Sequence, residues 1–97
     1  LDARDGRATA RFDVNMKAPG RYRVKLLFPP HINRATNVPI LIEAPGLALR
    51  ATVNQRQPAV WLGPYDLPAA FTVSITNQRT NGFVAVDGLQ VAPVDSN

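Results

Sequence analysis

Apolar and charged side chains alternate most regularly in residues 22–28, which serve as the reference strand for the rest of the chain. Tyr22, Val24, Leu26 and Phe28 occupy every second position. Arg21 precedes the first of them, and Arg23 and Lys25 lie between the next ones. A period of two is typical of a β-strand with one buried face and one solvated face. Gly20 precedes the segment and two prolines follow it, which marks both ends. Because a slip of one residue would bury the cations, the alternation specifies the register strongly.

Shorter alternating or apolar segments follow, separated by turns rich in Gly, Pro and Asn. Together with the reference strand at 22–28 and an alternating segment before it at 7–14, they predict strands over residues 38–43, 47–53, 59–62, 71–76, 82–86 and 89–94. A very short strand could also lie within 63–68. Short strands with frequent turn signals are typical of sandwiches and barrels, and no apolar stripe of helical period competes with them. The pattern therefore predicts an all-β, antiparallel β-sandwich of about seven or eight strands.

Single residues add expectations about where these strands end. Pro39 predicts either an edge strand or the start of a strand, because proline cannot donate to a ladder. The Asn81-Gly82 pair suits a turn with positive φ. Residues 93–97 are expected to be a frayed tail.

Length and composition predict one domain, residues 1–97. The chain has no cysteine, so it offers neither a disulfide framework nor a thiol nucleophile. No apolar run approaches the roughly 18 residues that a membrane span needs. Since the chain begins at Leu1 rather than Met, we expect it to be an excised or processed piece of a larger protein.

The formal net charge is +4, from eleven Lys and Arg against seven Asp and Glu. Most of the cations lie at or before Lys25, and a basic end favours anionic partners such as nucleic acid, acidic polysaccharide or a membrane surface. If the first two strands pair as a hairpin, Arg11, Arg23 and Lys25 come close together and form a patch for an anionic ligand. The alternative is an ordinary solvated face that discourages edge pairing.

Residues for catalysis are scarce. Nucleophilic catalysis needs a nucleophile, a base and an orienting group within hydrogen-bond reach, but the chain offers only His31, Ser74 and Ser96. We therefore predict that it is not an enzyme. A single histidine is too little for a transition metal, no Gly-rich phosphate loop occurs, and we expect no cofactor. The alternative is a calcium site built from Asp66 or Asp87 with main-chain carbonyls.

Side chains suited to sugar binding are more abundant. Trp61 and Tyr65 flank a Gly-Pro turn, and aromatic rings of this kind stack on flat sugar faces. Planar amides and guanidinium groups, which read sugar hydroxyls, crowd two predicted loops at Asn33, Arg34, Asn37, Gln55 and Arg56. Both sets have a structural alternative. Trp61 is equally well interpreted as a core side chain, and the loop side chains as partners for main-chain groups outside the ladders.

Several segments follow one family pattern in order: 19–24, 33–39, 53–56, 62–63, 73–77 and 82–91. The most specific are Asn-Arg-Ala-Thr-Asn-Val-Pro at 33–39 and Val-Asn-Gln-Arg at 53–56. Together they resemble the golvesin C-terminal-like domain over about residues 5–93. That family is a β-sandwich module found at the ends of xanthan lyases, other secreted bacterial proteins and some FAD-dependent oxidoreductases.

The resemblance implies a jelly-roll or galactose-binding-like sandwich with a non-catalytic, carbohydrate-binding role in the C-terminal part of a larger protein. It also implies two departures from the family. A further strand usually precedes the position of Leu1, and we expect this module to lack it. The segment between Pro58 and Trp61 is shorter than usual.

We therefore expect an accessory carbohydrate-binding module attached to a larger bacterial enzyme, such as a polysaccharide lyase, a hydrolase or an FAD-dependent oxidoreductase. The protein would be secreted, periplasmic or at the cell surface. Trp61 and Tyr65 would stack on the sugar, and the loop amides and guanidinium groups would read its hydroxyls. Arg11, Arg23 and Lys25 would attract an acidic polysaccharide.

The alternative function is a structural domain that docks on its parent catalytic domain and binds no sugar. It requires a buried Trp61 and a contiguous apolar patch on one sheet face. Nucleic acid is not an expected partner, because stacking aromatics are not interleaved with the cations and Tyr22 is predicted to point inward. We expect no membrane partner either.

Overall fold

The computed structural model of the chain describes residues 9–94. Within that range the chain forms strands and turns but no helix. The seven strands are β1 (Thr9–Asn15), β2 (Gly20–Leu27), β3 (Val38–Ala44), β4 (Leu47–Val53), β5 (Leu62–Leu67), β6 (Ala70–Thr76) and β7 (Gly88–Pro93). Residues 7–8 of the predicted first strand (7–14) and residues 95–97 of the predicted tail (93–97) lie outside the described residues.

The strands form two antiparallel sheets, with the orders β1-β6-β3-β4 and β5-β2-β7. The sheets pack face to face around one core, in which the rings of Tyr22 and Phe71 lie 6.5 Å apart between centroids. This arrangement confirms the predicted all-β antiparallel sandwich. The least exposed core side chains are Val24, Ala35, Val38, Val73, Ile75 and Val84.

The reference strand β2 is the centre of the three-stranded sheet. Tyr22, Val24 and Leu26 are buried in the core, whereas Arg23 is exposed. The predicted faces of this strand are therefore confirmed. The burial of alternate residues constrains the register, because a slip of one residue would turn the cations into the core.

Pro39 is the second residue of β3, and β3 lies inside the four-stranded sheet between β6 and β4. The prediction of an edge strand is therefore wrong, and the alternative, a proline at the start of a strand, is confirmed. The reason is the register: the ladder between β3 and β6 begins at Ile40, one residue beyond the proline. The missing N–H of Pro39 thus removes no bond from that ladder.

The largest differences between the predicted and the observed strands concern three parts of the chain. The predicted strand at 59–62 and the short segment at 63–68 are replaced by the single edge strand β5, which tolerates Pro64 because an edge needs fewer donors. Residues 82–86 form no strand and contribute only an isolated bridge between Phe83 and Arg34. Pro93 belongs to β7 instead of a tail, and the next residue donates its N–H to the carbonyl of Arg21 at 2.9 Å.

The hairpin considered for the first two strands does not form. β1 pairs with β6 over its whole length, and β2 pairs with β5 and β7. The connection between β1 and β2 crosses from one sheet to the other, and Met16 N–H donates to the carbonyl of Ala69 at 2.7 Å. Arg11 therefore lies in a different sheet from Arg23 and Lys25.

The connections 28–37, 54–61 and 77–87 meet at one end of the sandwich, which we call the loop end. Main-chain hydrogen bonds join them: Ala35 N–H donates to Phe83 O at 2.7 Å, and Gln55 N–H donates to Ala35 O at 2.8 Å. The approach is closest at Gly82, where a Cβ atom would lie 2.8 Å from the carbonyl carbon of Arg34. A side chain there would push two main chains apart.

We expect Gly82→Ala to lower the free energy of unfolding by about 1–3 kcal/mol, because the added methyl group overlaps main-chain atoms that cannot rotate away. Urea unfolding of the full chain measures the change. Gly88→Ala is the matched control, since its Cβ would meet only the end of the Leu27 side chain at an ordinary 3.7 Å. Equal stabilities of the two variants would contradict the close approach at Gly82.

Candidate functional site

The outer surface of the three-stranded sheet carries Arg21, Arg23 and Lys25 of β2 together with Trp61, and we call it the tryptophan face. The ammonium group of Lys25 lies 5.3 Å from the centroid of the Trp61 ring, within the range of a cation–π contact. Leu62, the next residue, pairs with the buried Val24 and packs against the core. Trp61 therefore lies outward, beside Lys25.

Trp61 is 40% exposed, so it is a surface residue with one side covered. From the sequence, a surface position and a core position were equally good predictions for Trp61. The docking alternative predicted a buried Trp61, and that part of it is wrong. An indole ring held at the surface offers a flat apolar area for stacking.

The charges on the tryptophan face are only partly compensated. Arg21 Nε lies 3.7 Å from a carboxylate oxygen of Asp66. Within residues 9–94, neither Arg23 nor Lys25 takes part in an ion pair. Two cations two positions apart on one strand face repel each other weakly, and an anion placed between them would relieve that repulsion.

Tyr65 does not join Trp61 in a stacking platform. A spacing of four residues would place both rings on one face of a regular strand. However, the pairing of β2 with β5 shifts between Tyr22 and Val24, where β5 holds one residue more than its partner. Tyr65 consequently lies opposite the buried Tyr22 and packs against the core. The two rings therefore form no shared platform, and a carbohydrate-binding role for Tyr65 stays a prediction.

Gln55 is fully buried at the loop end, and both ends of its amide are occupied. Its Nε2 donates to the carbonyl of Ala85 at 2.6 Å, and the N–H of Ala85 donates to its Oε1 at 2.8 Å. The side chain thus supplies the hydrogen bonds that a neighbouring strand would otherwise make. The prediction that Gln55 reads a ligand is wrong, and the structural alternative holds for this residue.

Asn37 joins two parts of the loop end. Its Nδ2 donates to the carbonyl of Arg79 at 3.0 Å, and its Oδ1 accepts from the N–H of Asn81 at 3.0 Å. The side chain of Asn81 is itself paired with Thr36. Arg79 adopts the positive φ of this turn, at 59°, so the prediction of positive φ at Asn81-Gly82 is wrong. Gly82 is instead required by the close approach described above.

The remaining loop residues also contact one another. Arg56 Nε donates to the carbonyl of Arg34 at 2.9 Å, and Arg34 Nη1 donates to Asn33 Oδ1 at 3.3 Å. Arg34 is half-buried, whereas Asn33, Asn37 and Arg56 are exposed. These bonds hold the loops together. A ligand-binding role for these four residues stays a prediction.

The outer face of the four-stranded sheet contains a depression of about 740 Å³ over β6, β3 and β4, which we call the sheet cleft. One row of cross-strand neighbours explains its chemistry: Arg11 pairs with Ser74, Ser74 with Leu41, and Leu41 with Arg50. The sequence predicted outward positions on these strands but not the cleft, because the row can be identified only from the strand order. The lining residues are Asn37, Pro39, Ile40, Leu41, Arg50, Ala51, Thr52, Ser74, Thr76, Gln78 and Arg79.

Arg11 lies on this second face and forms an ion pair with Asp13 at 3.1 Å. The predicted patch of Arg11, Arg23 and Lys25 is therefore wrong as a single site, because the two sheets present their outer faces in opposite directions. Arg23 and Lys25 stay together on the tryptophan face.

Acidic residues do not gather into a metal site in the part of the chain that is described. From Thr9 to Val94, no three His, Asp or Glu side chains come close enough to hold an ion. Asp66, one residue considered for calcium, is the partner of Arg21. The same residues contain no helix with the length and apolar character to cross a membrane.

We expect Gln55→Leu to destabilise the full chain by roughly 2–4 kcal/mol, because it removes both hydrogen bonds that the fully buried Gln55 side chain makes to the main chain of the half-buried Ala85. Gln57→Leu is the matched control, since Gln57 is exposed. Thermal and urea unfolding of both variants test the difference. A Gln55→Leu variant as stable as the control would contradict the structural role.

Two comparisons relate this architecture to known proteins. The chain superposes on a solved Paenibacillus xanthan lyase with a TM-score of 0.81 and 30% sequence identity. The match covers 94% of this chain and 10% of the xanthan lyase chain, so the chain spans about a tenth of that protein. No curated protein matches it. The Golvesin C-terminal domain model matches residues 2–92, and the chain accordingly belongs to the Golvesin C-terminal domain family.

Proposed function

We propose that the chain is a non-catalytic accessory module of a larger, extracellular bacterial enzyme, and that it binds an acidic polysaccharide through the tryptophan face. One observation carries the proposal: the Lys25 ammonium group lies 5.3 Å from the ring centroid of a partly exposed Trp61, with no ion pair for Lys25 or Arg23 among residues 9–94. The similarity to a xanthan lyase supports a polysaccharide as the partner.

The chemistry of the tryptophan face suits a sugar that bears a carboxylate. The C–H groups on one side of a sugar ring pack on the free area of the Trp61 indole. A carboxylate at the edge of that ring then lies within reach of Lys25 and Arg23, and hydrogen bonds between ions are stronger than those between neutral groups. A neutral sugar gains only the stacking part.

The proposal that the module is non-catalytic is supported by the positions of His31 and Ser74. His31 lies at the loop end, where its Nδ1 accepts a hydrogen bond from the N–H of Asn33 at 3.1 Å. Ser74 lies in β6 and lines the sheet cleft. A base and a nucleophile must lie within hydrogen-bond reach of each other, and these two belong to different parts of the fold.

We expect Lys25→Glu and Trp61→Ala each to weaken retention of the full chain on an acidic polymer by at least about fivefold, because one reverses an attractive charge and the other removes the stacking ring. Affinity gels containing xanthan or polygalacturonate measure the effect, and hydroxyethylcellulose serves as the neutral polymer. Raising the salt from low to molar concentration should abolish the difference between polymers.

Lys17→Glu is the control for this test, because it makes the same change of charge in the exposed connection between β1 and β2. Unchanged binding by Lys25→Glu and Trp61→Ala, or equal retention on neutral and acidic gels, would count against the tryptophan face as the site.

Docking on the parent enzyme is a second candidate function, favoured by the exposed apolar side chains at the loop end. Ile32 is 81% exposed and Phe83 is 37% exposed. Their main-chain positions are close, because Phe83 N–H donates to the carbonyl of Asn33, the residue after Ile32, at 3.0 Å. Exposed apolar groups that lie together mark contact surfaces more often than isolated ones do.

If the loop end docks, Ile32→Asp should lower the melting temperature of a parent enzyme that carries this chain by a few degrees, because a charge then enters an apolar contact. The isolated chain should keep its melting temperature, since Ile32 is exposed in it. Lys25→Glu should leave the parent's melting temperature unchanged. An identical melting temperature for the Ile32→Asp parent would argue against docking through this end.

A further inference from the structure

The structure points to a second binding site, in the sheet cleft on the opposite side of the sandwich. We infer that the cleft binds a carboxylate-bearing segment of an acidic polysaccharide, so that one module holds two polymer segments at once. The inference rests on the proposed function for the class of ligand, but it concerns different residues on a different sheet.

The shape of the cleft suits an extended ligand. It lies across three neighbouring strands and has a volume of about 740 Å³. Its middle is apolar, formed by Pro39 and Leu41 of the interior strand β3. Hydroxyl groups flank this floor, from Ser74 on one neighbouring strand and Thr52 on the other. An apolar strip between hydroxyl groups matches the C–H faces and the hydroxyl edges of a sugar chain.

The charges of the cleft select an anion. Arg50 and Arg79 both line it, and neither takes part in an ion pair among residues 9–94. The acids of the same outer face, Asp13 and Glu43, flank Thr72 one row further along, in a separate depression. Two side chains on the same face of a strand are about 7 Å apart along it. The face is therefore basic at the loop end and acidic at the other end.

Arg79 is the most informative residue of the cleft. It adopts φ 59° in the turn after β6, a conformation that glycine and asparagine adopt more easily than arginine. Thr80 closes this turn by donating its N–H to Asn77 O at 3.4 Å, and Asn37 holds the Arg79 carbonyl at 3.0 Å. The turn thus keeps an arginine at the cleft in a place where glycine or asparagine would be more stable. Strain of this kind is a reason to look for a function.

The two sites cannot hold the same stretch of polymer. The sheets of a sandwich pack about 10 Å apart, and the tryptophan face and the sheet cleft lie on their outer sides. The core of the sandwich therefore separates a polymer segment bound at Trp61 from Arg50. A module with two such sites links separate chains of a polymer, or distant parts of one chain.

The test uses tetragalacturonate to count sites by calorimetry and polygalacturonate to detect cross-linking by light scattering. The full chain should bind two tetragalacturonates and raise the scattering of the polymer. Arg79→Asn and Arg50→Gln should each weaken the second binding event by roughly tenfold, because each removes a guanidinium group that pairs with a carboxylate. Both should also abolish the rise in scattering while retention on an affinity gel persists. Lys17→Asn is the matched control.

Arg79→Asn adds a readout that a merely structural arginine would not produce. Asparagine suits the positive φ, so this variant should be at least as stable as the unsubstituted chain. It should nevertheless have lost binding at the sheet cleft. A variant that loses both stability and binding would overturn the inference in favour of a structural role for Arg79.

The outcomes separate this inference from the proposed function. One bound tetragalacturonate that depends on Trp61 and Lys25, with Arg50→Gln and Arg79→Asn equal to the control, overturns the second site alone. Binding that depends only on Arg50 and Arg79 supports the cleft as a site, but overturns both the two-segment module and the proposed site at Trp61. No binding of tetragalacturonate or polygalacturonate by the full chain overturns both proposals.

Discussion

The burial of the inner face of β2 against the four-stranded sheet is the interaction on which the rest of the structure depends. Val24 and Leu26 lose nearly all of their solvent contact against a layer that includes Val73 and Ile75. Each fully buried side chain of this kind contributes about 1.5–3 kcal/mol. Since the residues between them are cations, the same alternation that builds the core places Arg23 and Lys25 on an outer face. The proposed binding surface is thus a direct consequence of the packing.

The amides of the loop end answer a different constraint. Main-chain groups beyond the last ladder bond need partners, and side chains provide them where no strand is adjacent. Gln55 reaches Ala85, thirty positions along the chain, and holds both of its polar main-chain groups. Chemically, an amide that reads a sugar and an amide that completes a loop are the same group. The sequence therefore leaves both functions open, and only the partner atom decides between them.

Local alternation predicted what local geometry controls. It placed the faces of β2 correctly and matched the bounds of β4. It could not predict the order of the strands, which depends on packing between distant segments, and so it grouped Arg11 with Arg23. It also could not predict the additional residue in β5, which turns Tyr65 toward the core while Trp61 stays outside. The row of neighbours Ser74, Leu41 and Arg50 was also unpredictable, because it depends on the order of β6, β3 and β4 in the sheet.

The separation of core and surface has a consequence for how stability and binding respond to the solvent. The core contains apolar side chains whose burial depends little on ionic strength. In the described residues the ion pairs, Arg11 with Asp13 and Arg21 with Asp66, lie at the surface, where such pairs contribute little to stability. Charges on the outer faces act through solvent and are screened within about 10 Å at 0.1 M salt. An anionic polymer bound at the proposed sites should therefore be released by salt concentrations that leave the fold intact.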